Sequence, residues 1–353
     1  MILCYIFYKY NSSIYRGCYW NHTHKKQREE ESAMYSCDNL LLSKIMSNSS
    51  YEELALANGI TNNIRTVNYG DAEIDFPDGR GYLDYTYVLD KHNMQYEIIS
   101  ISELIQLKEY SKVIVLVPKE YLDYEDKLNI HVTQLAIIYS AFEIKWIKGN
   151  KIMLNLVENR WFDYSKELSI DYLKMLEKIL AKPLGFLLKV ILLKRKTRKF
   201  TREEIKVKIR ENVNNCIYNT ETMKENTKCI AGVQFYSLLG KKIIELSKLD
   251  TETSKNRVKI FTFSSTLNAG SSAFYRRDFA NALIGGEYIL SKDKLYIRDC
   301  FDKAIRAWEE LQRIVRFLQN GDKQYIGDEK IYNLLRDIEK NEMAIFIFLR
   351  EEV

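Results

Sequence analysis

Proline and glycine are scarce in this sequence, whose 353 residues include only 3 prolines and 14 glycines. An all-β protein with many tight turns needs more of both, so the scarcity argues against a loop-rich β-sandwich and favours long helices. Hydrophobic residues make up 46% of the chain and charged residues 29%, enough of each to bury a core. We therefore expect a folded, helix-rich globular protein. The 25 tyrosines and the many Lys, Ile and Glu residues suit a heat-loving organism.

Paired cysteines are absent as well. The six cysteines are scattered, and no CxxC motif occurs, which excludes a zinc ribbon or a redox pair of that type. With four histidines in the whole chain, a His-rich metal site is not indicated. We expect no metal, no cofactor and no disulfide framework, and a reducing, cytoplasmic setting.

No window reaches the roughly 18 apolar residues of a membrane span, and we expect no membrane partner. Residues 1–33 are interpreted as a disordered extension or a misassigned start before Met34, because their apolar stretch is short and lacks a cleavage site. The net charge is +5, with a basic cluster at Lys194-Arg195-Lys196. Such a cluster is typical of a solvated face, or it receives an acidic partner. Without aromatic interleaving or a helix-turn-helix pattern, it does not indicate nucleic-acid binding.

The residue pattern predicts an α+β protein in two domains, a mixed one at 34–185 and an all-α one at 186–353. In the first domain we predict strands at Gln95–Ser100, Lys112–Val117, His131–Ile147 and Lys151–Val157. The last two flank Gly149-Asn150, a turn signal between antiparallel strands.

Helical spacing or capping predicts four helices: Ser102–Tyr110, Leu168–Leu180, one capped by Thr201 with Glu204, and Cys229–Leu249. A further apolar stripe lies on one helical face and is interpreted as core; its members are Phe301, Ala304, Ile305, Trp308, Leu311, Val315 and Leu318.

Cys37 is the candidate nucleophile. It lies between Ser36, a good N-cap, and Asp38, at the predicted start of a helix. A thiol in a first helical turn faces unpaired backbone N–H groups and the positive end of the helix dipole, which favour the thiolate. The alternative is a small buried residue, as most free cysteines are.

A catalytic cysteine needs a base, and the base needs an orienting partner. His131 heads a predicted apolar strand, and Asn155 lies on the next strand, so Cys, His and Asn follow in the order of papain-like enzymes. Such an order also arises by chance. His131 capping a strand and Asn155 in a turn is therefore the alternative.

Three stretches resemble the butirosin biosynthesis protein H family, a group of papain-like acyltransferases. They are "YSCDNLLLSKIM", "VIVLVPKEYLDYEDKLNIHVTQLAIIYSA" with Tyr124 and His131, and "NAGSSAFYRRDFANAL" with Arg276. The resemblance runs from about Tyr35 to the C-terminus and implies a papain-like domain with an antiparallel sheet, followed by a helical domain. Two positions depart from the family: Ser36 replaces a histidine and Asn155 an aspartate.

The resemblance implies that Cys37 accepts an acyl group from a thioester of a carrier protein or coenzyme A and passes it to an amine-bearing small molecule. His131 would act as base and then acid, Asn155 would hold its ring, and backbone N–H groups at Cys37 and Asp38 would bind the oxyanion. Tyr124 and Arg276 would contact the substrate, Arg276 by docking phosphopantetheine or an acidic carrier. A helix-surface salt bridge is the alternative for Arg276.

Three other functions stay open from the sequence. A cysteine hydrolase on the same scaffold would cleave a peptide or amide bond. A non-catalytic helical interaction protein would merely bury the cysteine. An N-terminal-nucleophile hydrolase would require cleavage before Cys37.

Overall fold

A computed structural model of the chain describes residues 50–69, 72–77, 89, 94–117, 122, 140–157, 165–179, 188–194, 199–224, 227–269, 272–322 and 326–353. The chain divides into two compact units, residues 1–34 and residues 35–353, and every described residue belongs to the second. The predicted N-terminal extension lies outside the described residues.

Ten strands and nine helices occur among the described residues. The strands are β1 (Asn63–Tyr69), β2 (Ala72–Pro77), β3 (Tyr96–Ile99), β4 (Val113–Val117), β5 (Ser140–Lys148), β6 (Lys151–Leu156), β7 (Ser165–Ser169), β8 (Lys189–Leu193), β9 (Thr220–Lys224) and β10 (Thr227–Ala231). The helices are α1 (Tyr51–Asn58), α2 (Ile101–Leu104), α3 (Ile170–Ile179), α4 (Arg202–Ile217), α5 (Gln234–Lys248), α6 (Ser254–Ala269), α7 (Ser272–Gly285), α8 (Lys294–Gln319) and α9 (Asp328–Glu352).

The strands form two antiparallel sheets. One has six strands in the order β3-β8-β4-β5-β6-β7, and the other has four in the order β2-β1-β10-β9. The α+β class and the antiparallel sheet are therefore confirmed, and the C-terminal region is helical as expected. The papain-like form of the first domain stays a prediction.

The six-stranded sheet is buried on both faces at its centre. Every residue of β4 is buried, as its continuous β-branched run predicts. Val113, Val115 and Val117 belong to a core shared with α2 and α3, while Ile114 and Leu116 face a second core on the other side. The adjoining β5–β6 hairpin turns at Gly149, whose φ of 56° is a conformation that glycine adopts without strain.

Two helix predictions are confirmed by the structure. Thr201 caps α4 in a reciprocal capping box with Glu204, because each side chain bonds the other residue's backbone N–H. All seven residues of the predicted apolar stripe are buried on α8, which packs against α9.

Three element predictions are wrong in detail. The helix predicted at Ser102–Tyr110 begins one residue earlier, at Ile101, because Ser100 is its cap, and it ends at Leu104. Leu168 lies in β7 and not in a helix. Cys229 lies in β10, because residues 227–231 pair with both β1 and β9 before the helix begins at Gln234. The local spacing of apolar residues favours a helix there, but pairing with the strands β1 and β9 prevails.

The boundary between the two predicted domains stays a prediction, but two segments of the fold cross it. β8 follows residue 186 in sequence and pairs with β3 and β4. Helix α1 precedes the boundary and packs against α4 and α7. The region 186–353 is mainly helical, and it also contributes the strands β8, β9 and β10.

Candidate functional site

Two of the six predicted site residues, Asn155 and Arg276, fall within the described part of the chain. The other four lie outside it; they are Cys37, Asp38, Tyr124 and His131. Asn155 lies on β6 and Arg276 on α7, so they belong to different parts of the fold.

Asn155 lies in a row of polar side chains across three strands. The strand register places it opposite Glu143 of β5 and Ser165 of β7. Its Nδ2 donates to Glu143 Oε1 at 2.9 Å, and its Oδ1 accepts from Ser165 Oγ at 2.8 Å. This cross-strand row holds the half-buried amide in one orientation. Asn155 is therefore a strand residue and does not lie in a turn.

One residue of α1 packs on the face of the sheet that carries Asn155. Successive strand residues alternate between faces, so Asn155 shares its face with Val157, and the opposed Glu143 shares it with Ala141. Val157 and Ala141 belong to the second core, and so does Leu54 of α1, which is fully buried. Helix α1, which begins at Tyr51, thus contributes Leu54 to the side of the sheet where Asn155 stands.

Arg276 is fully buried at the centre of a polar network that we call the Arg276 cluster: Asn62, Tyr236, Arg276, Trp308 and Glu342. Its guanidinium pairs with Glu342 through Nε and through Nη2, the latter at 3.1 Å, and Nη2 also donates to Asn62 Oδ1 at 2.6 Å. The same guanidinium lies 4.5 Å from the centre of the Trp308 ring. The salt bridge is therefore interior, so the alternative of a helix-surface salt bridge is wrong, while the substrate contact of Arg276 stays a prediction.

Glu342 is the common acceptor of the cluster. Besides Arg276, it accepts from Trp308 Nε1 at 2.7 Å, Tyr236 Oη at 2.6 Å and Asn62 Nδ2 at 3.3 Å. Burial, and next the Glu342 charge, raise the pKa of the Tyr236 phenol well above its usual range, so the phenol stays a donor. A carboxylate with this many donors is compensated although it is out of water.

The sequence analysis missed Asn62, Tyr236 and Glu342, although one signal was present. The buried residues of α9 are spaced three or four positions apart and form one stripe: Ile331, Leu335, Ile338, Glu342, Ile345 and Leu349. Glu342 is the charged member of this stripe. A carboxylate in the middle of an apolar stripe indicates an interior cationic partner. The sequence could not identify that partner as Arg276.

A second polar site is a cavity of about 120 Å³ between β2, α5 and α6. Lys242 Nζ lies there 2.9 Å from Asp75 Oδ2, with Glu73 and Glu245 farther away at 3.7 and 3.9 Å. Burial lowers the pKa of Lys242, but hydrogen bonding and charge pairing with Asp75 outweigh it and leave the pKa raised. Lys242 is thus a cation at neutral pH, held by carboxylates.

Within the described ranges, no group of three or more His, Cys, Asp or Glu residues is arranged to hold a metal ion. Across the same ranges, each helix is too short or too polar to cross a membrane. No protein-family model matches the sequence, and none of the curated proteins compared with it is detectably similar. The resemblance to the butirosin biosynthesis protein H family therefore stays a prediction from the motifs.

Proposed function

We propose that this chain is a cysteine-dependent acyltransferase that moves an acyl group from a carrier-protein or coenzyme A thioester to an amine. The motif resemblance suggests this reaction, and one structural observation supports it. Helix α1, which follows Cys37, packs Leu54 into the core on the sheet face where Asn155 stands. In a papain-like site the helix that carries the cysteine packs on the sheet face of the orienting residue; here α1, a later helix of the same N-terminal region, contributes Leu54 to that face.

In the proposed reaction, the Cys37 thiolate attacks the thioester carbonyl and expels the donor thiol, which leaves with a proton from His131. The amine then attacks the new Cys37 thioester and loses a proton to His131. An amide forms and the Cys37 thiolate is expelled beside the reprotonated His131, so the enzyme returns to its starting state.

Asn155 is suited to the orienting role. An amide oxygen carries two acceptor positions, and among the described residues Ser165 uses one of them. The second is available for an imidazole N–H. The bond to Glu143 keeps the amide from rotating, which fixes the direction in which this acceptor points.

The test is covalent trapping by intact-protein mass spectrometry, with a short-chain acyl-CoA as the donor probe. We expect one acyl adduct that disappears in Cys37→Ala and persists in Cys229→Ala. Cys229 is a matched control, because burial raises the pKa of its thiol and makes it a poor nucleophile at neutral pH. An adduct that survives in Cys37→Ala would contradict the mechanism.

Two further measurements separate the alternatives. Adding a primary amine converts the adduct to an amide in a transferase, whereas a hydrolase releases the free acid regardless of amine. Iodoacetamide at neutral pH alkylates an activated Cys37 faster than the same cysteine in the unfolded chain. Equal or slower alkylation would favour a non-catalytic interaction protein and refute the proposal.

A further inference from the structure

The cavity between β2, α5 and α6 has charged groups of both signs in its wall. The wall contains Glu73 and Asp75 of β2, Lys242 and Glu245 of α5, and Lys259 of α6. The side chains of Glu73 and Glu245 are 54% and 65% exposed, so the cavity opens to solvent where they stand. Its volume of about 120 Å³ holds about eight waters, or a ligand with a similar number of non-hydrogen atoms.

Lys259 brings a cation without a counter-ion to this wall. Its side chain is half-buried, and among the described residues its ammonium group has no ion-pair or hydrogen-bond partner. Lys242 also keeps free donors. An ammonium group has three N–H donors, and of the described carboxylates only that of Asp75 stands within hydrogen-bond distance of Lys242, at 2.9 Å. The two lysines therefore offer N–H donors to an anionic group in the same cavity.

The carboxylates of Glu73 and Glu245 offer the complementary acceptors. Their nearest oxygens lie 3.7 and 3.9 Å from Lys242 Nζ, beyond the range of an N–H···O hydrogen bond. Asp75 is occupied instead, because it accepts from Thr66 Oγ1 at 2.6 Å as well as from Lys242. In the part of the chain that the structure describes, neither Glu73 nor Glu245 has another side-chain hydrogen bond or ion pair. A second ammonium group therefore finds two partly free carboxylates at the mouth of the cavity.

A ligand of one charge alone is opposed by this wall. An anion between the lysines faces three carboxylates, and a plain amine faces two lysines. A molecule that carries both charges can place each of them against the opposite sign. The rest of the wall is apolar and consists of Leu246, Leu249 and Phe263, which favours an aliphatic group on the ligand.

We propose that this cavity binds an α-amino acid with an aliphatic side chain. The carboxylate of the ligand accepts from Lys259 and from the free donors of Lys242. Its ammonium group donates to Glu73 and Glu245, and its side chain packs against the apolar wall. Leucine is a molecule of the size that the cavity holds. The inference does not rest on the proposed function, since none of these residues has a role in the acyl transfer.

The test uses L-leucine and two molecules that each lack one of its charges. Isoamylamine lacks the carboxylate, and isocaproate lacks the ammonium group. Binding of each probe to the full chain is measured by isothermal titration calorimetry at neutral pH. We expect L-leucine to bind at least about tenfold more tightly than either of the other two, because each of them loses the charge-assisted hydrogen bonds of the missing group.

Lys259→Met is the main test variant, because no described ion pair is lost when its charge is removed. We expect this variant to bind L-leucine at least about tenfold more weakly. Glu245→Gln changes the exposed rim and should weaken L-leucine while it spares isocaproate. The matched controls are Lys241→Met and Glu252→Gln, which change exposed residues outside the cavity wall and should bind L-leucine like the wild type.

Each result either supports or overturns the site. Binding of L-leucine that is lost in Lys259→Met and kept in both controls supports it. No binding of L-leucine up to its solubility limit overturns it, and so does binding that Lys259→Met leaves unchanged, because the ligand then lies elsewhere. Isoamylamine that binds as tightly as L-leucine also overturns it, since the lysines then contribute nothing. If Lys259→Met fails to fold by circular dichroism, Glu245→Gln decides by the same criteria.

Discussion

Two asparagines of this protein make similar hydrogen bonds in opposite surroundings. Asn155 belongs to a half-buried polar row on the sheet, where its partners Glu143 and Ser165 keep contact with water. Asn62 is 2% exposed, and its partners include the interior charges Arg276 and Glu342. When a hydrogen bond in the half-buried sheet row breaks, water can bind the freed polar groups. When a bond in the buried Arg276 cluster breaks, the freed polar group has no water to bind. The loss of a bond in the sheet row should therefore cost little stability, while the loss of a bond in the Arg276 cluster should cost much more.

The strongest test of this contrast removes the common acceptor of the cluster. Glu342→Ala leaves the Arg276 charge buried without its partner, and we expect a loss of about 3–5 kcal/mol in the free energy of unfolding. The double variant Arg276→Met with Glu342→Leu removes both charges but leaves Trp308, Tyr236 and Asn62 without their acceptor, so it should recover only part of that loss. Urea unfolding of both variants measures the difference. A loss below about 1 kcal/mol in Glu342→Ala would show that the cluster is not as closed to water as the structure shows.

A methyl group at Gly59 should also be costly. Gly59→Ala forces an L side chain into positive φ and displaces the Asn212 amide from the Ala57 carbonyl. We expect a loss of about 2–4 kcal/mol from backbone strain and a broken buried hydrogen bond. Gly149→Ala is the control, because its φ is also positive but no atom lies within 4 Å of the added methyl. If the two variants lose equal amounts of unfolding free energy, the positive φ alone explains the loss, and the contact with Asn212 contributes nothing.

The two asparagines can be compared directly by the same substitution. Asn62→Ala should cost about 1–3 kcal/mol, because it leaves buried donors unpaired. Asn155→Ala should cost less than about 1 kcal/mol, since water replaces the lost cross-strand bonds. Thermal and urea unfolding of both variants give the two values. If Asn155→Ala proves the more damaging, the polar row is structural and its orienting role loses its support.

The smallest effect concerns Lys242 at high pH. Its pKa is raised above the ordinary value of 10.5, so its ion pairing stabilises the folded state fully below that pH and loses this contribution as the pH rises through the folded pKa. We expect the stability difference between wild type and Lys242→Met to be constant from about pH 7 to 9 and to shrink above about 10.5. A difference that grows with pH would mean that the folded-state pKa is depressed.

Much of the fold could be predicted where a local pattern and its tertiary surroundings agree. The runs at 112–117 and 151–157 became strands, and the capping box at Thr201 formed. Residues 227–231 show the opposite case. Their apolar spacing predicts the start of a helix, yet they form a strand that pairs with β1, more than 150 residues away. Local sequence patterns carry no information about such a distant partner.

The candidate site divides in the same way. Strand alternation was enough to predict that Asn155 lies on a strand next to a hairpin, because that depends on neighbours in sequence. The composition of the Arg276 cluster was not predictable, since its five members are far apart in sequence. Asn62 immediately precedes β1, and the other four residues lie on α5, α7, α8 and α9. Glu342 was visible as a charge within an apolar stripe, but the stripe does not say which cation compensates it.

The sequence by itself determined the class of the fold, the burial of the α8 stripe and the turn at Gly149, because each follows from the chemistry of residues within a few positions of one another. Only the tertiary structure decided that Arg276 is an interior residue bound to Asn62 and Glu342, and that Leu54 of α1 packs on the face of the sheet with Asn155. These outcomes depend on which distant surfaces exclude water from one another, and that is settled when the helices and sheets pack.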